Sequence, residues 1–251
     1  VPIRLGQEFK AFSQPVKRDL KRISSAVEEL TYVNMGATAV GTGINADVEY
    51  VKNVVRILSE VTGFNFKQSP DLVDGTRNLD SFVWLSSALK TCAVNLSKTA
   101  NDIRLMASGP KAGLAELGLP QQQPGSSIMP GKVNPVIPEV LNQVCFQIFG
   151  NDITITKAAE AGQLELNVFE PVLFFNLFQS IEILKNGIVT FIENCLKGIT
   201  AQEANCKHWV DRSVGIITAL NPHIGYKNAA EIAKESIKTG TPVAELVLAK
   251  G

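Results

Sequence analysis

The sequence predicts an all-α protein: a long central helical bundle of the kind that buries one apolar face per helix, followed by a smaller helical part. Apolar residues recur at intervals of three and four along most of the 251 residues, as on one face of a helix. No run alternates apolar and polar residues as a strand does. The hydrophobic fraction of 45% and the mean hydropathy of +0.11 suit a large buried core and argue against disorder.

Three helices are predicted in the first 108 residues. The second helix carries an apolar stripe over residues 51–61 that stops before Gly63. The third is predicted within residues 77–108, which contain neither Gly nor Pro. Roughly thirty helical residues extend about 45 Å, a length typical of bundles. The first of the three helices carries an apolar stripe that consists of Val16, Leu20, Ile23, Val27 and Leu30.

Glycine-rich residues 34–45 join the first two helices. A phosphate-binding loop needs such glycines between a strand and a helix, with Lys-Ser/Thr or the dinucleotide pattern. The sequence has neither context. We therefore predict a tight connection in which glycine adopts unusual backbone angles.

Helix resumes after Pro138, because residues 109–138 contain several Gly and Pro residues. Glu139 follows where an acid suits the helix dipole. A further helix is predicted over residues 171–196. Its residues 172–178 are apolar around nearly the whole circumference, which predicts burial on all sides, in a large bundle or an oligomer interface. No apolar run is expected to be long enough to cross a membrane.

The composition changes after Gly198 to shorter, more polar helices, with Thr241-Pro242 as a helix start. We predict a domain boundary near residue 204. This gives a long-helix bundle domain over residues 1–204 and a small, incomplete C-terminal helical domain over residues 205–251.

The charge balance excludes several classes of partner. Lys+Arg and Asp+Glu both number 24, so neither a nucleic-acid footprint nor a basic membrane surface is expected. The 4 cysteines form no CxxC pair and predict reduced thiols in a cytoplasmic protein. Cys206 and His208 lack partners at ligand spacing, so no metal site is expected there.

The most informative segment is residues 124–135. Its Gly, Ser and Pro residues are typical of a flexible connector. It also carries hydroxyls, one lysine and one asparagine directly before a helix start. Such a set could hold a carboxylate and stabilise negative charge that develops on it.

Residues 125–135, Gly-Ser-Ser-Ile-Met-Pro-Gly-Lys-Val-Asn-Pro, resemble the signature of the aspartase/fumarase superfamily. The similarity extends to residues 34–45, 108–110, 150–152 and 162–168, and so over essentially the whole chain. It is closest to the aspartase (aspartate ammonia-lyase) branch, because residues 162–168 read Gly-Gln-Leu-Glu-Leu-Asn-Val where fumarases have Gly-Asn-Phe-Glu-Leu-Asn-Val. Fumarase, which hydrates fumarate to malate, stays open as an alternative.

The resemblance implies a lyase that deaminates L-aspartate to fumarate and ammonia without a cofactor or metal, as a cytoplasmic homotetramer. The hard step removes a weakly acidic proton beside the β-carboxylate, through an aci-carboxylate intermediate. The position that matches the family's base is Ser126. The implied carboxylate-binding residues are Ser127, Lys132 and Asn134, and the supporting residues are Met129 and Glu139; in the family Glu139's counterpart assists an active-site histidine.

The chain also departs from the family. Each active site there combines three sequence regions from three subunits, and this chain contains only the third. The second region holds a Thr-His pair, whereas the first histidine here is His208. We therefore expect a central domain with part of a C-terminal domain, inactive alone. The alternative of a different class is a non-catalytic helical fragment that oligomerises.

Overall fold

The computed structural model describes residues 2–123, 125, 129 and 133–250, and the regular structure of these residues is almost entirely helical. Four strands of two residues each accompany the helices: β1 (Tyr32–Val33) pairs in parallel with β2 (Lys67–Gln68), and β3 (Leu117–Gly118) pairs antiparallel with β4 (Thr200–Ala201). The all-α prediction is confirmed. The helices are α1 (Leu5–Glu29), α2 (Val48–Thr62), α3 (Leu72–Arg77), α4 (Asp80–Met106), α5 (Val136–Glu160), α6 (Glu170–Asn194), α7 (Glu203–Arg212), α8 (Ile217–Ile224), α9 (Tyr226–Thr239) and α10 (Val243–Lys250).

The chain divides into two compact units. The first, here called the bundle unit, comprises residues 13–101 and 136–193. The second, here called the loop unit, comprises residues 2–12, the described part of 102–135, and 194–250. The sequence-based boundary near residue 204 stays a prediction.

The bundle unit is built on antiparallel long helices. Ser86 on α4 donates a hydrogen bond to Asp152 on α5 (2.8 Å), while Ser97, further along α4, accepts one from Asn142, earlier on α5 (2.9 Å). The two helices therefore run in opposite directions. Apolar residues fill the core between these polar pairs: Leu85, Leu89, Cys92, Leu96, Leu141, Cys145, Ile148, Ile155, Leu173, Leu177, Leu184 and Phe191.

Helix α4 confirms most of the predicted third helix. It covers 27 residues, and its buried face includes apolar residues spaced at three and four: Leu85, Leu89, Cys92, Leu96, Ala100 and Ile103. The helix begins at Asp80 rather than at Arg77, because α3 ends at Arg77 and Asn78 has an extended backbone (φ −104°, ψ 137°). One residue with extended dihedrals is enough to interrupt the helical hydrogen-bond ladder.

Burial of the predicted stripe on α1 is wrong for this chain. Val16, Leu20 and Val27 are exposed, whereas Asp19 and Ala26 are the buried residues of the helix. Asp19 accepts two hydrogen bonds from Asn95 (3.0 and 2.8 Å) and forms an ion pair with Arg22 (2.7 Å). These partners satisfy the carboxylate and allow this polar face to pack inward.

Within a single chain α6 is not buried on all sides, and its predicted burial in a large bundle or an oligomer interface stays a prediction. Leu173, Leu177 and Leu184 are buried, but Phe175 and Phe178 are 65% and 63% exposed. By length and composition alone, residues 170–198 form a helix that could cross a membrane, with a mean hydropathy of 1.3. The expectation that no apolar run is long enough to cross a membrane is therefore wrong by the criterion of length and composition. Core helices of soluble proteins meet the same criterion, and 28% of the apolar window in this segment is buried.

Burial keeps most of the thiols protonated near neutral pH. Cys92, Cys145 and Cys195 are buried free cysteines. Desolvation raises the pKa of Cys92 to about 11, with a smaller contribution from the negative charge of Asp19. It raises the pKa of Cys145 to about 12 and that of Cys195 to about 11. Because the thiolate is the nucleophilic form, these cysteines are structural.

The glycine-rich connection between α1 and α2 uses left-handed backbone conformations, as predicted, although the two-residue strand β1 precedes it. Gly36, Gly41 and Gly43 have φ of 90°, 89° and 67°. At Gly41 an added Cβ would lie 2.3 Å from the Cα of Val73, so α3 packs directly against this backbone. Glycine is required there by both the backbone angle and the space.

Two glycine-to-alanine substitutions test this requirement as a matched pair. Gly41→Ala should destabilise the chain by about 3 kcal/mol or more, since left-handed strain adds to a clash with backbone atoms. Gly63 caps α2 with a similar φ of 76°, but nothing lies within 4 Å of an added Cβ. Gly63→Ala should therefore cost only about 1–2 kcal/mol. Urea unfolding followed by circular dichroism measures both, and equal losses would contradict the packing argument.

The loop unit has its own small core. Helices α8, α9 and α10 enclose Ile217, Ala229, Ile232, Val243 and Leu246. Helix α10 follows Thr241-Pro242, the predicted start signal, and α9 ends at Gly240 in a left-handed conformation (φ 73°). This core holds together the end of the chain.

Candidate active site

The predicted site residues fall into two groups. Ser126, Ser127 and Lys132 lie outside the described residues, so their roles stay predictions. Met129 is 56% exposed, and Asn134 lies two residues before the start of α5.

A cavity of about 350 Å³ in the loop unit includes Asn134 in its lining. Three stretches of chain meet there: residues 107–119, residues 133–135 and the start of α7. The structure thus brings Asn134 together with Gly109-Pro110, a second motif of the family resemblance. The lining residues are Ala107, Gly109, Pro110, Ala115, Leu117, Gly118, Leu119, Val133, Asn134, Pro135, Gln202 and Asn205.

The described lining of this cavity combines small apolar residues with three carboxamides. The carboxamides belong to Asn134, Gln202 and Asn205. Each carboxamide NH₂ group carries two donors, one of which Asn205 uses for the carbonyl of Ala115 (2.8 Å), and none of the three groups adds a negative charge. The described part of the cavity is therefore compatible with an anionic ligand.

A tight turn shapes residues 108–115. The Ser108 hydroxyl donates to the carbonyl of Leu105 (2.6 Å) and accepts from the amide of Leu114 (3.1 Å). The Ser108 carbonyl accepts from the amide of Ala115 (2.7 Å). At Gly113 an added Cβ would lie 2.4 Å from the carbonyl carbon of Ser108. These contacts fix the conformation of the Ser108-Gly109-Pro110 motif, in which Gly109 and Pro110 line the cavity.

Helix α7 and the residue before it hold the end of the same stretch, residues 114–116, in place. The carbonyl oxygens of residues 114–116 each accept a hydrogen bond from this region. The donors are the indole Nε1 of Trp209 to residue 114 (2.6 Å), Nδ2 of Asn205 to residue 115 (2.8 Å) and the amide of Gln202 to residue 116 (2.9 Å). These contacts are not predictable from the sequence, because partners about 90 positions apart leave no periodic or motif signal.

Glu139 lies in the first turn of α5, within the bundle unit. It has an interaction partner of its own. Its position agrees with a helix-start acid, and its predicted supporting role stays a prediction.

A larger cavity of about 620 Å³ lies in the bundle unit and includes Asn34 in its lining. Its described lining contains four carboxylates and no basic residue; the acids are Glu29, Asp74, Asp80 and Glu170. Like charges would repel a dicarboxylate from this cavity. The smaller cavity beside Asn134 is therefore the candidate active site.

Two other motifs of the resemblance have structural roles. Asn167 donates to the carbonyls of Ala158 (2.9 Å) and Ala159 (3.2 Å) and so satisfies the end of α5. Asn151 is buried and donates to the Ser180 hydroxyl (3.0 Å) on α6. These motifs fix helix ends and helix pairing in the bundle unit.

Comparison with known proteins identifies the family. The family model described as Lyase matches residues 1–150, and the one described as Fumarase C C-terminus matches residues 216–251. The chain belongs to the aspartase/fumarase superfamily of lyases. Residues 133–135, the end of the segment that carries the superfamily signature, are part of the cavity lining.

The relatives of this chain include named enzymes. It is 59% identical over 248 residues to an aspartate ammonia-lyase of Bacillus subtilis, covering 99% of this chain and 52% of that protein. The solved structure of a fumarate lyase:delta crystallin from Brucella melitensis matches with a TM-score of 0.96 and 46% identity, covering 100% of this chain and 55% of that one. A class II fumarase from Schistosoma mansoni matches with a TM-score of 0.88 and 33% identity, covering 98% and 54%. The chain spans about half the length of the curated relatives it matches.

Proposed function

We propose that this chain is part of an aspartate ammonia-lyase, which converts L-aspartate to fumarate and ammonia. The observation that carries the proposal is the 59% identity to the aspartate ammonia-lyase of Bacillus subtilis over nearly the whole chain. Identity to the fumarase from Schistosoma mansoni is 33%. The carboxamide-lined cavity at Asn134 supports a carboxylate-bearing substrate.

The proposed reaction is an anti-type elimination with Ser126 as the base. The Ser126 alkoxide takes a proton from Cβ of aspartate, and the electron pair moves into the β-carboxylate to form the aci-carboxylate. The pair then returns to form the Cα–Cβ double bond as the Cα–N bond breaks and ammonia leaves. The serine afterwards passes its proton to solvent. Backbone N–H donors and exclusion of water must offset the cost of ionising the serine hydroxyl.

The extra negative charge of the intermediate needs fixed donors that are already in place. In the proposal Lys132 supplies the compact positive charge, and Ser127 and Asn134 donate neutral hydrogen bonds. Asn134 is the member of this set for which a cavity supports the assignment. Met129 and Glu139 are proposed as supporting residues.

The exposed apolar faces of α1 and α6 support oligomer formation. Phe175 and Phe178 on α6 and Leu20 on α1 are each more than 60% exposed. Large apolar side chains that are exposed on long helices are candidates for a protein interface. We propose a homotetramer in the cytoplasm, without nucleic-acid or membrane partners, and the domain division at residue 204.

Two alternatives remain distinct from this proposal. Fumarase activity is favoured by the fold match to the class II fumarase and would use the same dicarboxylate contacts. A non-catalytic oligomerising fragment is favoured by the exposed apolar faces. Size-exclusion chromatography of the 251-residue chain tests the second alternative together with the assay below.

An aspartate assay tests the proposed function. The natural protein, expressed from its complete reading frame, should release fumarate and ammonia from L-aspartate, followed by ultraviolet absorbance. The 251-residue chain alone should oligomerise and show no turnover, because catalytic groups that act as a unit fail together when some are missing. Turnover by the chain alone would contradict its predicted inactivity, and a natural protein inert toward aspartate would contradict the function.

A further inference from the structure

We infer that α7 clamps the cavity wall formed by residues 107–119, and that Asn205 and Trp209 are positioning residues for carboxylate binding. The inference rests on the proposed function. Neither residue belongs to a motif of the family resemblance. Both act on the wall of the cavity that contains Asn134.

The wall is bonded to the α7 region along five consecutive residues. The carbonyls of residues 114–116 accept the three hydrogen bonds described above, and Leu117 and Gly118 pair with Ala201 and Thr200. The side-chain donors to residues 114 and 115 are Trp209 and Asn205, while the thiol of Cys206 makes a longer contact with the carbonyl of Glu116 (3.8 Å). The Trp209 and Asn205 side chains can therefore be changed without altering the backbone pairing.

Close packing leaves little freedom at the far end of this stretch. An added Cβ at Gly118 would lie 2.5 Å from the hydroxyl oxygen of Thr200 and 2.7 Å from Nε2 of Gln202. Leu117 is buried beside it, with 4% exposure. Close packing and backbone pairing therefore fix residues 117 and 118. The position of residues 114 and 115 depends instead on the hydrogen bonds from Trp209 and Asn205.

Asn205 connects the clamp directly to the cavity. Its carboxamide donates to the carbonyl of Ala115 and its side chain also lines the cavity, as do Ala115 and Asn134. Ala115 has a left-handed φ of 47°, a strained conformation for a residue with a Cβ. Such a conformation persists only where surrounding contacts hold it, and the hydrogen bond from Asn205 is one of these contacts.

Loss of the clamp should affect binding more than chemistry. Residues 107–119 and 133–135 contribute to the lining of the same cavity, so movement of the first stretch changes the space in which Asn134 meets a carboxylate. The proposed mechanism assigns no contact between the base, Ser126, and residues 107–119. An interaction made equally in the ground and transition states alters KM rather than kcat.

Kinetics of two variants in the natural protein test the inference. Asn205→Ala and Trp209→Phe should each raise KM for L-aspartate about three- to tenfold, the effect of one hydrogen bond, and change kcat by less than about twofold. The matched controls are Asn228→Ala, an exposed asparagine on α9 that donates to the carbonyl of Ile224 at the end of α8, and Trp84→Phe, an exposed tryptophan on α4. The controls should leave KM unchanged.

Hydrogen exchange on the 251-residue chain gives a second readout, independent of activity. The amides of Ala115 and Glu116 should exchange faster in both variants than in the controls. Trp209→Phe keeps an aromatic ring in place and keeps the test decisive if Asn205→Ala unfolds. Unchanged KM and unchanged exchange at residues 114–118, in folded variants of an active protein, would overturn the clamp and leave the proposed function standing. An unsubstituted natural protein that does not act on aspartate would overturn both.

Discussion

Replacement of Ser126 by alanine should abolish fumarate formation by the natural protein while leaving its fold intact. A positioned base accelerates proton transfer by about 100- to 10,000-fold, and alanine offers no alternative acceptor. A loop hydroxyl contributes little to stability, so the thermal unfolding temperature should change little. Steady-state fumarate formation and thermal unfolding measure the two effects.

The control for this substitution is Ser25→Ala, which removes an exposed hydroxyl from α1. It should retain full activity. Comparable turnover in Ser126→Ala and the control would remove Ser126 from the proposed mechanism.

Replacement of Lys132 by alanine should chiefly weaken aspartate binding. A hydrogen bond to a charged group contributes about 1.5–3 kcal/mol, so KM should rise by about 10- to 100-fold. The initial rate as a function of aspartate concentration measures this change. Lys207→Ala serves as the control, because Lys207 is exposed and pairs with Asp211 on its own helix (2.8 Å). An unchanged KM in Lys132→Ala would count against its carboxylate-binding role.

Helical periodicity predicted where helices form better than which of their faces are buried. The stripe on α4 is buried because α5 covers it, as the Ser86–Asp152 contact shows. The equally regular stripe on α1 is exposed, because α1 turns its Asp19 face inward. Periodicity identifies an apolar face, whereas its neighbour in space decides whether that face is covered.

The buried face of α1 could not be predicted from composition. An aspartate is a poor candidate for a helix core unless its charge is satisfied. Its partner Asn95 lies 76 positions away in the sequence. The apolar face left outside is available for another subunit, in agreement with the proposed homotetramer.

The sequence motif of the candidate site could be predicted, whereas the residues that surround it could not. Residues 125–135 stand out because they combine polar groups with loop residues directly before a helix. The walls of the Asn134 cavity come from residues 107–119 and from the start of α7, which no local pattern joins. Side chains such as Asn205 acquire their role only through the fold.

The central claim is that this chain serves an ammonia-lyase rather than a hydratase. The measurement that tests it most directly is the ratio of kcat/KM for L-aspartate to kcat/KM for L-malate in the natural protein, with fumarate as the common product. We predict fumarate and equimolar ammonia from aspartate, with malate turned over at least about 100-fold less efficiently, as expected of a site that discriminates by polar contacts. Efficient formation of fumarate from malate, with little or none from aspartate, would contradict the account.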